Sequence, residues 1–283
     1  MAQDTERIDE IEQRRQKDRR FHEKLVSPFQ RAMNRYALLS PGDKVAVCIS
    51  GGKDSMLMAK LFQVLKRHGL FSFDLQFLVM DPGYAPENRS LVEENAAKLR
   101  IPVKIFESRI FDAVDHIPDN PCYLCARMRR GYLYRYARDL GCNKIALGHH
   151  YDDVIETILM SMLWAGQYQT MMPKLHSTNF EGMELIRPMY LIREEDIIDW
   201  AEKNNLRFLQ CACHFTNSCS FLREDGSSIS KRAETKELIR TLRMTNPYVE
   251  ANLFKSAENV NLDRVIEWKQ DLVRHSFLDR YDS

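Results

Sequence analysis

The feature that most constrains the fold of this chain is an apolar run that ends in a glycine turn and leads into a helix pattern. Residues 45–49 are apolar and mostly β-branched, Ser50-Gly51-Gly52-Lys53-Asp54-Ser55 follows, and residues 56–65 favour a helix. Gly51 and Gly52 carry no Cβ, so the backbone there can approach an anion closely. The free N–H groups of a helix start would point at the same place. The segment therefore predicts a strand–turn–helix unit that binds phosphate.

The side chains of this loop add donors and charge. Ser50 and Ser55 carry hydroxyl groups, Lys53 carries a cation, and Asp54 can reach a metal or cap the helix. Neither G-x-x-x-x-G-K-[ST] nor G-x-G-x-x-G occurs in the chain. The alternative is an ordinary turn between a strand and a helix, because Gly-Gly and Asp-Ser are common turn residues.

Strand and helix patterns alternate through the first half of the chain. Strands are predicted at residues 45–49, 75–80, 103–106 and 144–147, and helices at 56–68, 88–99 and 123–140. This alternation predicts an α/β fold with a mostly parallel sheet. Ligands bind outside the carboxyl ends of such strands. We therefore expect the 50–55 loop, Asp81 and residues 148–153 to converge on one crevice.

The second half of the chain has weaker signals. We predict helices at 152–164, 193–204, 230–243 and 259–277, and a short strand at 184–186. The predicted organisation is an N-terminal helical segment (1–40), a nucleotide-binding domain (41–220) and a C-terminal helical extension (221–283).

Composition narrows the function classes. The net charge is only +1, yet arginines crowd residues 127–138 and basic residues crowd 231–243, so either run is a solvated helix face or an RNA contact. The sequence has no apolar stretch of the roughly 20 residues that a membrane span needs. The charged N-terminus does not resemble a secretory signal, and seven cysteines are an odd number, so we expect a reducing, cytoplasmic location and no disulfide framework.

The cysteines therefore direct attention to metal. Cys122 and Cys125 form a C-x-x-C at a predicted helix start, where both thiolates can reach one ion. Cys211, Cys213 and Cys219 follow later in the chain. Structural zinc, an iron–sulfur cluster with one open iron, and a redox pair all remain possible on spacing alone. Cys48 and Cys142 read as core residues.

Several segments together resemble one family. Ser50 to Ser55 resembles the phosphate-binding loop of the PP-loop ATP-pyrophosphatases. This resemblance implies a Rossmann-like domain of the adenine nucleotide alpha hydrolase-like type. C-Y-L-C-A-R-M-R-R-G at residues 122–131 and K-I-A-L-G-H-H-Y-D-D at residues 144–153 resemble the tRNA 2-thiocytidine synthetase group of tRNA sulfurtransferases. Met172-Pro173-Lys174 and Ile186-Arg187-Pro188-Met189 also fit, so the resemblance covers roughly residues 25–220.

This resemblance implies an activity. Such enzymes use ATP and Mg²⁺ to adenylate the C2 oxygen of an anticodon-loop cytidine in tRNA, and sulfur then replaces that oxygen as AMP leaves. The sulfur is handled by a [4Fe–4S] cluster held by three cysteines. Cys122 and Cys125 match two of them. The family's second C-x-x-C is Cys211-Ala212-Cys213 here, so Cys213, then Cys211, and less well Cys219, match the third. A homodimer and a sulfur donor, such as a cysteine desulfurase or free sulfide, are also implied.

Residue roles follow from this resemblance and from charge. The 50–55 loop would hold the ATP phosphates with Asp54 as a magnesium partner, while Met80, Asp81 and Gly148 would line the nucleotide site. Asp152 or Asp153 would bind magnesium or move a proton, and Arg129, or Arg130 beside it, would neutralise charge on the adenylated base or α-phosphate.

Three other functions remain compatible with the sequence. The chain could thiolate a tRNA uridine, although that branch carries additional N-terminal zinc cysteines and none precedes Cys48 here. It could be a cluster-free PP-loop ligase, such as a lysidine-forming synthetase. It could also be a nucleotide- or metal-binding regulator without turnover.

Overall fold

The computed structural model describes residues 16–69, 71–108, 110–114, 121–208 and 231–281. The chain divides into two compact units, Met1–Val154 with Met172–Ser227, and Ile155–Met171 with Ser228–Ser283. The elements of the first unit are α1 (Ser27–Arg35), β1 (Lys44–Ile49), α2 (Lys53–His68), β2 (Asp74–Asp81), α3 (Pro86–Leu99), β3 (Val103–Glu107), α4 (Ile110–Val114), α5 (Pro121–Asp139), β4 (Lys144–Ala146), the start of α6 (Tyr151–Ala165), β5 (Lys174–His176), β6 (Glu184–Ile186) and α7 (Glu194–Lys203).

The first unit is built on a six-stranded sheet in the order β3-β2-β1-β4-β6-β5. All neighbouring pairs are parallel except β5 and β6, which pair antiparallel at one edge. The α/β class and the mostly parallel sheet are thus confirmed, and every predicted strand is present within two residues at either end. The short edge strand β5 was not predicted, because three residues give too little pattern.

Both faces of β1 are buried, as a parallel sheet requires. Val45, Val47 and Ile49 pack into a core with residues of α2 and α7, while Ala46 and Cys48 pack into a second core with residues of α5. Alternate side chains of one strand therefore serve two different cores, which explains the continuous apolar run. Helix α2 is held against this sheet because Met56, Leu57, Met58 and Ala59 are fully buried.

The N-terminal segment is helical from residue 16 to residue 35, and residues 36–40 form a turn and an irregular connection to β1. Residues 16–21 are helical, a π-helical turn spans His22–Val26, and α1 follows with Phe29 and Met33 buried. The Phe29 ring meets the Phe62 ring of α2 edge-on at 5.3 Å between centroids.

The second unit contains the rest of α6, then α8 (Lys231–Thr245), α9 (Val249–Ser256), β7 (Glu267–Gln270) and β8 (Val273–Ser276). Within this unit, the Trp164 indole nitrogen donates to the Thr235 hydroxyl at 3.4 Å and Glu156 pairs with Arg232 at 3.3 Å. The predicted helix at 230–243 is confirmed. The predicted helix at 259–277 is wrong, because β7 and β8 form an antiparallel hairpin there. No helix in the described part of the chain is long and apolar enough to cross a membrane.

Candidate active site at the carboxyl edge of the sheet

The candidate site lies beside β1, where the chain stops adding strands on one side of the sheet and begins to add them on the other. Strands β2 and β4 flank β1 on opposite sides, so the loops that follow β1 and β4 open a crevice between them. The loop after β1 is the 50–55 segment, and the loop after β4 contains residues 147–150. The structure therefore brings together the phosphate-loop residues and the G-H-H-x-D-D residues, as the sequence predicts.

The 50–55 loop has the backbone shape of an anion cradle. Gly51 has φ +85°, a left-handed conformation that suits glycine. Gly52 precedes α2, and no side chain among the described residues caps that helix. The Ser55 hydroxyl donates to the Gly52 carbonyl at 2.9 Å and accepts from the Ser50 N–H at 3.1 Å. Ser55 thus braces the loop, while the N–H groups at the start of α2 remain open to a phosphate.

Gly148 allows the β4 loop to touch this helix start. A Cβ at Gly148 would lie 3.1 Å from the Ser55 nitrogen and 3.2 Å from the Asp54 carbonyl carbon. These are backbone atoms, so they could not rotate away. Gly148 was predicted to allow the backbone to approach the nucleotide closely. In the structure, it allows the β4 loop to approach the backbone of the phosphate loop.

A buried histidine lies close to the acidic side chains of the crevice. His150 Nε2 lies 3.8 Å from Asp54 Oδ1 and 3.5 Å from Asp153 Oδ2, and its backbone N–H donates to Asp153 at 3.0 Å. Asp54 Oδ1 is buried, accepts no hydrogen bond of good geometry from the described residues, and faces the Lys53 ammonium at 3.2 Å. An oxygen in that state suits a cation, and carboxylates are ligands that Mg²⁺ prefers. The residues present therefore fit magnesium.

Asp152 has a different environment from Asp153. Its Oδ2 accepts from the Glu194 N–H at 2.8 Å, and its Oδ1 accepts from Arg193 Nη2 at 3.2 Å. Asp152 is therefore occupied with the start of α7, although it lies beside Asp153 in sequence. The two acids do not share one role in this geometry.

Strand β2 ends in a second group of predicted residues. Asp81 is buried, and its carboxylate accepts from the N–H groups of Gly83 and Tyr84 and from Arg89. These contacts engage both carboxylate oxygens of Asp81 in the loop that follows β2. Met80 is also buried, and it packs with Ile110, Phe111 and Cys125.

Cys125 brings the C-x-x-C segment to this end of β2. It lies on α5, is 7% exposed, and is a free thiol in the cluster that contains Met80. Cys122 is part of the same helix, but its side chain lies outside the described residues, as do Cys211, Cys213 and Cys219. Cysteine thiolates are the ligands that hold iron–sulfur clusters. The one described cysteine of the proposed donor set, Cys125, therefore fits such a cluster in ligand type.

Arg129 lies one helical turn after Cys125. Its guanidinium carbon is 5.3 Å from the centre of the Phe111 ring. Its Nε is buried and has no hydrogen-bond partner within the described residues. A donor left open in this way suits an anionic ligand, in agreement with the role predicted for Arg129.

Tyr84 connects the loop to the cysteine region, and sequence reasoning missed it. Its hydroxyl donates to the Ser50 carbonyl at 3.3 Å, and its ring packs against the cluster that contains Cys125. Burial raises the pKa of Tyr84, so the phenol remains a donor. No local motif marks this tyrosine.

Arg187 and Glu194 were also missed, because each contacts the crevice from far along the chain. Arg187 donates to His149 Nδ1 at 3.3 Å, and burial lowers the pKa of Arg187. Because arginine is only a donor, this contact leaves the His149 proton on Nε2. Glu194 pairs with Lys53 at 3.2 Å.

Comparison with known proteins shows the family of the chain. The model of the PP-loop domain family matches residues 21–222. A tRNA-cytidine(32) 2-sulfurtransferase of Coxiella burnetii is 34% identical over 253 residues, which are 88% of this chain and 94% of that protein. A tRNA-cytidine(32) 2-sulfurtransferase 2 of Francisella tularensis is 35% identical over 84% of this chain and 91% of its own length.

One solved structure supports the fold. The U34-tRNA thiolase NcsA of Methanococcus maripaludis, solved with its [4Fe–4S] cluster, superposes with a TM-score of 0.62 at 21% identity, covering 82% of this chain and 76% of that one. The family match over most of the chain and the identity to full-length relatives lead to the same assignment. The chain belongs to the PP-loop family and, within it, to the tRNA-cytidine(32) 2-sulfurtransferases.

Proposed function

We propose that this protein uses ATP to replace the C2 oxygen of a tRNA cytidine with sulfur, at the position 32 that its relatives' name gives. One observation carries the proposal: Tyr84 contacts both the phosphate loop and the cluster of residues around Cys125. A loop that activates an oxygen and a cysteine that handles sulfur thus meet at one edge of one sheet. A PP-loop ligase without sulfur chemistry needs only the first of these.

The activation half of the reaction belongs to the phosphate loop. The C2 oxygen attacks the α-phosphorus of ATP, and pyrophosphate leaves. The N–H groups at the start of α2 and the Lys53 ammonium stabilise the phosphates. Asp54 and Asp153, which both face His150, are the proposed magnesium partners. Asp152 holds the start of α7 beside them.

The sulfur half belongs to the end of β2. Cys125, Cys122 and one of Cys213, Cys211 and Cys219 are the proposed ligands of a [4Fe–4S] cluster, which supplies an iron without a cysteine ligand for the sulfur chemistry. Arg129 lies one turn from Cys125, its Nε has no hydrogen-bond partner among the described residues, and its proposed role is to neutralise the phosphate of the adenylated base. Sulfide then bonds to C2 and loses its proton, the bond from C2 to oxygen breaks, and AMP leaves with the oxygen.

Exposed arginines on α5 favour RNA as the partner of this edge. Arg127, Arg130 and Arg135 all face solvent on the helix that carries Cys125. By contrast, α8 pairs Lys231 with Glu234 and Arg240 with Glu237, so part of its positive charge is already neutralised. We therefore propose α5 as the tRNA contact.

The test is nucleoside analysis after an anaerobic reaction of the full chain with ATP, Mg²⁺, sulfide and cytidine-32 tRNA. We expect 2-thiocytidine, with AMP and pyrophosphate in equal amounts, and loss of product in Cys125→Ala. Cys142→Ala is the matched control, because Cys142 is also buried but belongs to a different packing cluster, with Ala46 and Cys48 of β1, and it should keep activity.

Each competing function has its own outcome in this experiment. A 2-thiouridine product would assign the uridine branch. Release of AMP and pyrophosphate without a thiolated nucleoside, if it survives Cys125→Ala under air, would indicate a cluster-free ligase. Absence of pyrophosphate with every RNA would indicate a regulator.

We also propose that the protein is a cytoplasmic homodimer that receives sulfur from a cysteine desulfurase or from free sulfide. Size-exclusion chromatography tests the dimer.

A further inference from the structure

Glu194 reaches the phosphate loop from the start of α7, although it lies 141 residues beyond Lys53. Its Oε1 is 3.2 Å from Lys53 Nζ, and Asp54 Oδ1 is also 3.2 Å from the same nitrogen. The Lys53 ammonium is therefore held between two carboxylates. Only one of these carboxylates belongs to the loop motif.

The position of Glu194 is fixed by its neighbours. Asp152 accepts a hydrogen bond from the Glu194 backbone N–H and another from the Arg193 side chain. The Arg193 guanidinium also lies 5.0 Å from the centre of the Tyr151 ring. The first residue of α7 is thus anchored to the first turn of α6. The Glu194 carboxylate therefore contacts Lys53 from a backbone position that is fixed by hydrogen bonds to Asp152.

This arrangement affects how Lys53 meets phosphate. Lys53 Nζ donates to Asp54 Oδ2 at 3.3 Å and to Glu194 Oε1 at 3.2 Å, so two of its three donors are already directed at carboxylates. A phosphate that binds the open N–H groups of α2 must either displace Glu194 or lie close to its negative charge.

Both routes weaken anion binding, because one breaks a charge-assisted contact and the other adds like-charge repulsion. We propose that Glu194 is a positioning residue that keeps Lys53 extended in the crevice and competes with the phosphates of ATP and pyrophosphate for it. Glu194 thereby favours release of pyrophosphate after the activation step. The inference rests on the proposed function, since ATP has to bind at the 50–55 loop.

Substitution of Glu194 distinguishes this role from a structural one. Glu194→Gln keeps the length of the side chain and an oxygen that can accept from Lys53, but it removes the charge. If Glu194 only supported the loop, its replacement would weaken nucleotide binding or leave it unchanged. If it competes with phosphate, its replacement strengthens binding. The two roles therefore predict changes of opposite direction.

The experiment is calorimetric titration of the full chain with pyrophosphate and with a non-hydrolysable ATP analogue, at fixed magnesium. For Glu194→Gln we expect both dissociation constants to fall by about fivefold to tenfold, as loss of one competing charge-assisted contact implies. Glu195→Gln is the matched control, because Glu195 is exposed on the same helical turn; its constants should stay within about twofold of wild type. Glu194→Asp keeps the charge and should not bind more tightly than wild type.

Three results would overturn parts of this reasoning. Unchanged or weaker pyrophosphate binding by Glu194→Gln, with an unaltered melting temperature, would refute the competition. A higher magnesium requirement in Glu194→Gln would identify Glu194 as a metal ligand instead. Wild-type protein that binds neither titrant would refute the proposed function, and this inference with it.

Discussion

Gly148→Ala is the substitution that most directly tests the geometry of the crevice. The added methyl carbon would lie 3.1 Å from the Ser55 nitrogen, 3.2 Å from the Asp54 carbonyl carbon and 3.3 Å from the Ser55 Cα. All three distances are shorter than the roughly 3.5–4.0 Å at which carbon atoms pack best. Either the β4 loop or the start of α2 has to move by a few tenths of an ångström.

The start of α2 resists such a movement. Ser55 is tied to Ser50 and Gly52 by hydrogen bonds, and Met56 and Leu57, which follow it, are fully buried against the sheet. Overpacking of this kind costs about 1–3 kcal/mol. We expect Gly148→Ala to lose stability in that range. We also expect ATP affinity to fall by about tenfold, since a cost of ~1.4 kcal/mol in the cradle is a factor of ten.

Urea unfolding and equilibrium ATP binding measure the two effects, with Gly131→Ala as the control. Gly131 lies inside α5, and a Cβ there meets nothing within 4 Å. The same change should therefore stabilise the protein by about 0.5–1 kcal/mol through helix propensity. If Gly148→Ala were as stable as wild type and bound ATP equally well, the close contact between the β4 loop and α2 would be refuted.

Two further predictions concern side chains beside the crevice and in the core. Tyr84→Phe removes the hydrogen bond to the Ser50 carbonyl, so we expect a loss of about 0.5–1.5 kcal/mol in urea unfolding. Burial raises the pKa of Tyr84 above its usual 10.0. Ultraviolet titration of the folded protein should therefore show that this variant lacks one phenol that ionises at higher pH than the others. Loss of a phenol that ionises at lower pH would contradict the burial of Tyr84. Burial also raises the pKa of Cys48 to about 12, so iodoacetamide at pH 8 should leave Cys48 unlabelled in the native protein and label it only after unfolding, as peptide mass spectrometry would show.

The first unit was predictable from sequence because its signals are local. The β1 run, the two glycines and the helix formers after them agree with one another, and the parallel order follows from the alternation of elements. The phosphate loop and the G-H-H-x-D-D segment then had to meet, since the carboxyl ends of parallel strands share one edge. The close contact of Gly148 with the backbone of the phosphate loop was not predicted, because no sequence pattern shows which surface a loop faces.

The hairpin of the second unit shows where local signals fail. The segment was predicted to be helical, yet Asp271 and Leu272 turn the chain with φ +51° and +67°. Such turns normally contain glycine or asparagine, and leucine with a left-handed backbone gives no warning of one. Trp268 and His275 stack across the two strands at 5.2 Å between ring centres. That cross-strand contact, which appears only after folding, helps to define the hairpin.

Glu194 was missed for a related reason, and it changes the charge of the site. Asp54, Asp152, Asp153 and Glu194 contribute four carboxylates to the contacts around Lys53 and His150, whereas Lys53 and Arg193 are the cations in those contacts. The dipole at the start of α2 offers only about half an elementary charge. Free ATP would therefore meet net repulsion, despite a backbone shaped for phosphate. In the proposed mechanism, a divalent cation held by Asp54 and Asp153 would reverse that balance, so we expect ATP to bind in the crevice only as its magnesium complex. Without the cation, the same carboxylates would again disfavour an anion in the loop.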